Sequence, residues 1–238
     1  MLDAGTGLRA LTDRLHGAPY RGAVLLTHLH WDHMQGLPFF VAGDRDDAVV
    51  QVCLPAQDGH DGRELLARSM SPPSFPIEPG GLLGGWSFDA LDEGSYGIAG
   101  WHVRACEVAH KGGRTFGYRI EDPTGSIAYL PDHAPAAGCS TELRDLVAGV
   151  DVLVHDAQFR HSEREIADRF GHATINDAIA LAVEARVGTL VLTHHAPGRT
   201  DDDLDEIADE VRASSPLPVV VARESDTIIV RRPAATPA

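Results

Sequence analysis

Three short apolar runs in this chain each end in a residue type that binds metal ions. They are Val24-Leu25-Leu26-Thr27-His28, Ala128-Tyr129-Leu130-Pro131-Asp132 and Val191-Leu192-Thr193-His194. Apolar runs of this length predict buried strands, and helical patterns lie between them. Strands that alternate with helices predict an α/β fold, and we expect the three strand ends to meet at one edge of the sheets.

The remaining patterns predict further elements of the same kind. Leu8, Leu11 and Leu15 recur at helical spacing, and residues 117–120 and 126–130 have the pattern of a hairpin. We expect other strands at residues 49–54, 101–108, 150–154 and 189–193, with a final pair of strand-like runs over 219–230. Helices are expected at residues 143–147, 174–185 and 203–213, with Thr174 as a suitable N-cap, and at residues 34–41 we expect a short helix that Pro38 interrupts early. Residues 71–85, rich in Pro and Gly, predict a long loop.

The composition fits one domain of ordinary size. A chain of 238 residues with 43% hydrophobic residues can bury one sizeable core, so we expect a single domain over residues 1–230 and a flexible tail over residues 231–238. Cys53, Cys106 and Cys139 are odd in number and far apart, which favours reduced thiols over a disulfide framework. The sequence has no pattern of a secretory leader or a bilayer span, so we expect a cytoplasmic protein without a membrane partner.

The charge balance bears on the choice of partner. The chain has 35 acidic and 20 basic residues, a formal net charge of −15, and Lys111 as its one lysine. A surface this negative repels phosphate backbones unless a basic groove offsets it, and the sequence has no run of Lys and Arg. We therefore expect nucleic acid to be a poor partner and a small molecule to be the substrate.

The densest set of potential metal ligands is His28-Leu29-His30-Trp31-Asp32-His33, which has four potential ligands in six residues. Imidazole and carboxylate are the ligands that zinc takes at catalytic sites. In an extended turn His28 and His30 point the same way, whereas Asp32 and His33 face a second point. One ion cannot easily use all four, so the cluster predicts two divalent ions, with zinc the first choice and manganese or iron the alternatives. A histidine-rich surface loop is the competing interpretation, but it would need neither the apolar strand before the cluster nor the turn after it.

The cluster resembles the H-x-H-x-D-H signature of the metallo-β-lactamase fold superfamily. Asp3-Ala4-Gly5 resembles the early turn of that superfamily, whose aspartate supports the metal-bound histidines, and Gly117-Tyr118-Arg119-Ile120 follows His110 as it does in relatives. The resemblance runs over nearly the whole chain. It implies a four-layer αββα sandwich of two mixed sheets with helices outside.

The resemblance also implies a site of seven ligands. Carried over residue by residue, the first ion would take His28, His30 and His110. The second would take Asp32, His33 and His194, and Asp132 would lie between the two ions together with a water or hydroxide. Two cations acidify that water and polarise the bond to be broken.

A further element, Gly171-His172-Ala173-Thr174, resembles the histidine-small-threonine element of the ribonuclease Z-like and cyclic phosphodiesterase-like branch. There the histidine lies near the metal ions and protonates the leaving oxygen or steadies the transferring phosphate. A polar helix cap without chemistry is the competing interpretation. The resemblance thus gives catalytic roles to Asp32, Asp132 and His172. His155 and Asp156 either orient His172 or a ligand, or form a buried structural pair.

These residues predict a binuclear metal-dependent hydrolase that acts on a small or cyclic phosphodiester. A transfer-RNA 3′-processing endonuclease is the nearest alternative, but that branch grips RNA through a basic arm that we do not find in the sequence. A thioester or lactam hydrolase and a non-catalytic metal-binding relative also stay open. Asp32 and the Gly171 to Thr174 element favour phosphodiester chemistry by analogy, and the full set of ligands argues for turnover.

The start of the chain departs from the superfamily pattern. Relatives usually have a strand or two before the turn at Asp3, where this sequence begins. Three interpretations are open: the recorded start lies late, one sheet lacks its first strands, or a homodimer covers the exposed edge.

Overall fold

A computed structural model describes residues 1–230, so the tail expected at residues 231–238 lies outside the described residues. The chain divides into two compact units, and each is built around one β-sheet. The first unit consists of Met1–Glu93 and Gly112–Phe116, and the second of Gly94–Lys111 and the chain from Gly117 onward. The single domain expected over residues 1–230 stays a prediction.

The first unit contains a sheet of three parallel strands in the order β1-β2-β3. The strands are β1 (Arg21–Leu25), β2 (Val49–Pro55) and β3 (Gly85–Leu91). The helices described in this unit are α1 (Leu8–Arg14), α2 (Trp31–Met34) and α3 (Gly62–Ala67). Parallel strands need crossover connections. Helix α2 lies in the connection from β1 to β2, and α3 lies in the connection from β2 to β3. Leu26, Phe40 and Leu54 are fully buried in the core of this unit.

The second unit contains a mixed sheet of seven strands in the order β10-β9-β8-β7-β6-β5-β4. The strands are β4 (Gly94–Ile98), β5 (Trp101–Val108), β6 (Thr115–Asp122), β7 (Gly125–Leu130), β8 (Val152–Asp156), β9 (Thr189–Thr193) and β10 (Val219–Val221). The helices are α4 (Thr141–Val147), α5 (Arg164–Phe170), α6 (Ile175–Ala185) and α7 (Asp201–Ser214). Across residues 1–230, no helix is both long and apolar enough to cross a membrane.

The direction of the strands decides where the polar residues of the second unit gather. Strands β7, β8 and β9 pair in parallel, so their carboxyl ends lie at the same edge of the sheet. Asp132 follows β7, Asp156 ends β8 and His194 follows β9. The expected meeting of strand ends is therefore confirmed for the runs that end in Asp132 and His194. The run that ends in His28 includes β1, a strand of the other sheet.

The α/β class expected from the sequence is confirmed, and several boundaries agree. The strands expected at residues 101–108 and 189–193 are β5 and β9, and the expected hairpin is formed by β6 and β7. Thr174 caps α6 as expected: its side chain accepts a hydrogen bond from the backbone of Asp177, and the Asp177 carboxylate accepts one from the Thr174 backbone. These elements have strong local signals, namely apolar runs, a tight turn and a capping box.

Several elements differ from the predictions. The helix expected at residues 34–41 begins earlier, as α2, and a short 3-10 helix, Leu37–Phe39, follows it. The expected interruption at Pro38 is confirmed, because proline cannot donate the backbone hydrogen bond of a continuing α-helix. The strand-like runs expected over residues 219–230 are reduced to β10. The sequence pattern does not predict β3, β4, α3 or α5. Both strand pairs of the three-stranded sheet are parallel, whereas the seven-stranded sheet contains both parallel and antiparallel pairs.

A close backbone contact holds the start of the chain against the segment after β1. The backbone N–H of Ala4 donates to the carbonyl of His33, and that of Gly36 donates to the carbonyl of Ala4, at 2.7 and 2.8 Å. A Cβ atom on Gly36 would lie 2.0 Å from the carbonyl oxygen of Gly5, far inside contact distance. Only glycine therefore allows this approach, which fixes the turn at Asp3 next to α2.

We expect Gly36→Ala to lower the free energy of unfolding by about 1–3 kcal/mol, because the new methyl group must push the Asp3 turn away from α2. Urea denaturation followed by circular dichroism measures the change. Gly7→Ala is the matched control, since a Cβ atom there meets nothing within 4 Å and the backbone is already helical. Its effect should stay within about 0.5 kcal/mol. Equal effects of the two substitutions would contradict the proposed contact.

Candidate metal centre

The four potential ligands of the first unit lie together in the segment that follows β1 and begins α2. His28 Nε2 lies 2.8 Å from His30 Nδ1, and His33 Nε2 lies 3.4 Å from Asp32 Oδ2. The rings of His28 and His33 are buried, with centroids 4.2 Å apart. The Asp32 side chain is 60% exposed. Ring nitrogens and a carboxylate at these separations form a donor set that suits divalent cations.

Asp3 supports this segment, which is the role that the sequence resemblance implies. Its Oδ1 accepts a hydrogen bond from the backbone N–H of Thr27 at 2.7 Å, and its Oδ2 lies 2.8 Å from His33 Nδ1. The His33 Nδ1–H that donates to Asp3 leaves Nε2 with its lone pair available for a metal ion. The Thr27 hydroxyl lies 3.1 Å from His28 Nδ1 and orients that ring in a similar way.

Gly112 also shapes the first set of ligands, and sequence reasoning missed it. A Cβ atom on Gly112 would lie 2.6 Å from His30 Nε2, and the residue has a φ of +88°. Both facts require glycine at this position. The signal in the sequence is the pair Gly112-Gly113, but neither residue lies near His30 along the chain.

The second unit brings His110, Asp132, His172 and His194 together. Asp132 is 1% exposed, and its two carboxylate oxygens face different histidines. Oδ2 lies 3.2 Å from His110 Nε2, and Oδ1 lies 3.2 Å from His194 Nε2. Ligand atoms of Asp132, His172 and His194 all lie within 4.8 Å of one another. A carboxylate with one oxygen toward each of two ring nitrogens fits the donor set of two neighbouring cations.

His172 has a buried carboxylate partner in Asp156, a pairing that the sequence pattern leaves undecided. His172 Nδ1 lies 2.8 Å from Asp156 Oδ2, and Asp156 is fully buried. The same oxygen accepts hydrogen bonds from the backbone N–H groups of His133 and Ala173, and Oδ1 accepts one from Gln158. Asp156 therefore fixes the ring of His172 and joins two loops. His172 stacks on His194 with ring centroids 5.1 Å apart.

Gln158 holds the ring of His194, a role that no sequence pattern indicates. The Gln158 side-chain nitrogen lies 3.0 Å from His194 Nδ1. The backbone of Gln158 is itself held by Asp156, so one carboxylate positions both His172 and the partner of His194. A side-chain amide can present its oxygen to the same ring nitrogen after rotation, as a metal-bound imidazole requires of its partner.

His133 and His155 form a buried pair of rings next to Asp156. His155 Nδ1 lies 2.7 Å from the Asp156 carbonyl oxygen, and His155 Nε2 lies 3.1 Å from His133 Nδ1. Burial lowers the pKa of His133 to about 3 and also lowers the pKa of His155. Both rings are therefore neutral near neutral pH, so that His155 donates to the carbonyl and accepts from His133.

Comparison with known proteins agrees with this geometry. Residues 1–195 match the family described as "Beta-lactamase superfamily domain". A ribonuclease Z from Nocardia farcinica is 30% identical, with 76% of this chain and 72% of that protein covered. A ribonuclease Z from Pyrobaculum arsenaticum is 29% identical, with 97% of this chain and 88% of that protein covered. The crystal structure of the metallo-β-lactamase fold protein YhfI from Bacillus subtilis superimposes with a TM-score of 0.70 at 17% identity, covering 94% and 84% of the two chains.

The chain therefore belongs to the β-lactamase superfamily and is a metal-dependent hydrolase with the metallo-β-lactamase fold. This fold implies divalent metal ions, and the two sets of histidines and carboxylates are suited to hold them. The expectation that nucleic acid is a poor partner is wrong, because the Nocardia and Pyrobaculum relatives are ribonucleases. That expectation used the net charge of the whole chain, whereas substrate binding depends on the charge at the site.

We expect Asp156→Asn to lower the free energy of unfolding by about 1–3 kcal/mol, because Asn has one oxygen where Asp156 uses two to accept hydrogen bonds from buried donors. Urea denaturation measures the loss. The matched control is Asp61→Asn at the N-cap of α3, where Oδ1 accepts from the Glu64 backbone and Asn is an equally good cap. An equal loss in the two variants would show that Asp156 has no special role.

Proposed function

We propose that the chain is a binuclear phosphodiesterase. In this proposal one divalent ion takes His28, His30 and His110, and the other takes Asp32, His33 and His194. Asp132 serves both ions, and zinc is the first choice of metal. The assignment is supported by family membership and by the two oxygens of Asp132, each 3.2 Å from a different histidine nitrogen. Bound ions of this kind polarise a phosphoryl oxygen and acidify water.

His172 supplies the acid of the proposed reaction, and its contact with Asp156 is the observation that carries the proposal. Because Nδ1 donates to the buried carboxylate at 2.8 Å, Nε2 is the ring atom left to face a substrate. A positioned imidazole is the side chain that most often gives a proton to a leaving oxygen. Phosphodiester hydrolysis needs such an acid, since an alkoxide is a poor leaving group.

The substrate class follows less directly from the site. A small or cyclic phosphodiester is the first candidate. Cleavage of RNA is the second, and the ribonuclease Z relatives favour it. Both reactions break the same kind of bond, so they require the same acid and the same ligands.

A substrate panel with and without chelator tests the proposed function. It contains bis(p-nitrophenyl) phosphate, cyclic nucleotides, an RNA with a 3′ extension, a thioester and a β-lactam. We expect hydrolysis of at least one phosphodiester, loss of activity with chelator and recovery with zinc or manganese. Turnover of the thioester or β-lactam alone would overturn the proposal. Less than about one equivalent of bound metal after mild purification would favour a non-catalytic protein.

We expect Asp132→Ala to abolish turnover and lower the metal content, because the variant loses a carboxylate that faces two ligand histidines. His172→Ala should lower kcat about 10²–10⁴-fold and leave the metal bound, because it removes a proton donor and no ligand. Metal analysis and steady-state kinetics measure both effects. His102→Ala is the control, since His102 is exposed on β5 and contacts Glu121. Equal metal loss in the Asp132 and His172 variants would show that His172 is misassigned.

A further inference from the structure

The first unit contains an open apolar cavity of about 120 Å³ beside helix α2. Buried Met34, Leu66 and Met70 form its floor. Trp31 and Phe39 form its rim, with exposed fractions of 69% and 55%. Exposed aromatic side chains that gather around one cavity are typical of a binding site, whereas single exposed apolar residues are common on any surface.

The chemistry of the lining restricts what this cavity can bind. The residues that line it carry no charge, although the chain as a whole has a net charge of −15. An enclosed apolar cavity of about 150 Å³ holds one benzene ring, so this open cavity of about 120 Å³ takes part of a planar base, and the rest of the base lies at the aromatic rim. Gln35 and Ser69 add hydrogen-bonding groups to the otherwise apolar wall, a composition typical of pockets for small molecules.

The position of Trp31 connects the cavity with the proposed ligands. Trp31 lies between His30 and Asp32 in the sequence and begins α2, which also carries His33. Trp31 therefore places the rim of the cavity one residue along the chain from Asp32, with the two Cα atoms about 3.8 Å apart. Phe39 and Phe75 are packed edge to face with centroids 5.8 Å apart and form a second aromatic wall of the cavity.

We propose that this cavity binds the base of a nucleotide substrate, with the base stacked on Trp31. The inference rests on the proposed phosphodiesterase function and narrows its substrate to phosphodiesters that carry a neutral planar base. Stacking on an aromatic side chain accepts every base, because every base has a π-face. The cavity therefore gives affinity for nucleotides without selecting one base strongly.

Adenosine tests the cavity without hydrolysis, because it has the base and no phosphodiester bond. Its binding to the metal-loaded protein is followed by ligand-observed NMR titration. We expect Trp31→Ala to weaken adenosine binding at least about tenfold, which corresponds to ~1.4 kcal/mol. Trp31→Phe should restore part of the affinity because it keeps a ring. Trp101→Ala is the matched control, since Trp101 is also exposed but lies on β5 of the second unit, and it should bind as the unaltered protein does.

The outcomes separate this inference from the proposed function. Adenosine binding that depends on Trp31, together with no phosphodiester hydrolysis, would support the cavity and overturn the function. Hydrolysis of a nucleotide with a KM that Trp31→Ala leaves unchanged, and no measurable adenosine binding, would overturn the inference alone. A change of oligomeric state in Trp31→Ala, seen by light scattering while adenosine does not bind, would show that a second copy of the chain covers the cavity and would also overturn it.

Discussion

Most of the histidines at the candidate site contact a supporting group of the protein through Nδ1, which turns Nε2 toward the other proposed ligands. This constraint matters because a neutral imidazole has one donor and one acceptor nitrogen, and only the acceptor can bind a metal ion. In five of the rings it is Nδ1 that contacts the protein, at 2.8 to 3.1 Å. The pairs are His28 with Thr27, His33 with Asp3, His110 with the Gly171 carbonyl, His172 with Asp156 and His194 with Gln158. Each of these rings therefore directs Nε2 away from its supporting group, and the local fold of each unit fixes that orientation.

Most of the proposed ligands could be picked out from the sequence because their signals are local. His28, His30, Asp32 and His33 are close along the chain, and Asp132 and His194 each follow an apolar run that forms a strand. Their partners could not be assigned in the same way. Asp156 contacts His172, sixteen residues further along, and Gln158 contacts His194, 36 residues further along. Such contacts depend on the parallel register of β8 and β9, which the sequence does not encode locally.

The strands that the sequence did not predict have different causes. Strand β4 has Gly94 and Gly97 among its five residues, which weakens its strand pattern, and pairing with β5 stabilises it. Strand β3 alternates Trp86, Phe88 and Ala90 with polar residues, but it follows directly on the Pro- and Gly-rich segment of residues 71–85. The role of Gly112 could not be predicted for a different reason. Its role is to leave space beside His30, and empty space has no sequence pattern. Local propensity therefore predicts strands with an apolar run and misses those that tertiary contacts stabilise.

The net charge predicted the wrong partners because it averages over the whole surface. At the proposed site the chain itself contributes imidazole rings and the carboxylates of Asp32 and Asp132, and the two carboxylates would repel a phosphodiester. Two divalent cations outweigh two carboxylates and make the site positive, since bound ions are the largest local charges in such a site. In the proposed function, affinity for the phosphate thus depends on the metal ions. In the proposed base site, affinity for the base depends on the uncharged cavity lining around Trp31. An acidic chain can bind an anionic substrate through these two separate contributions, without a basic surface.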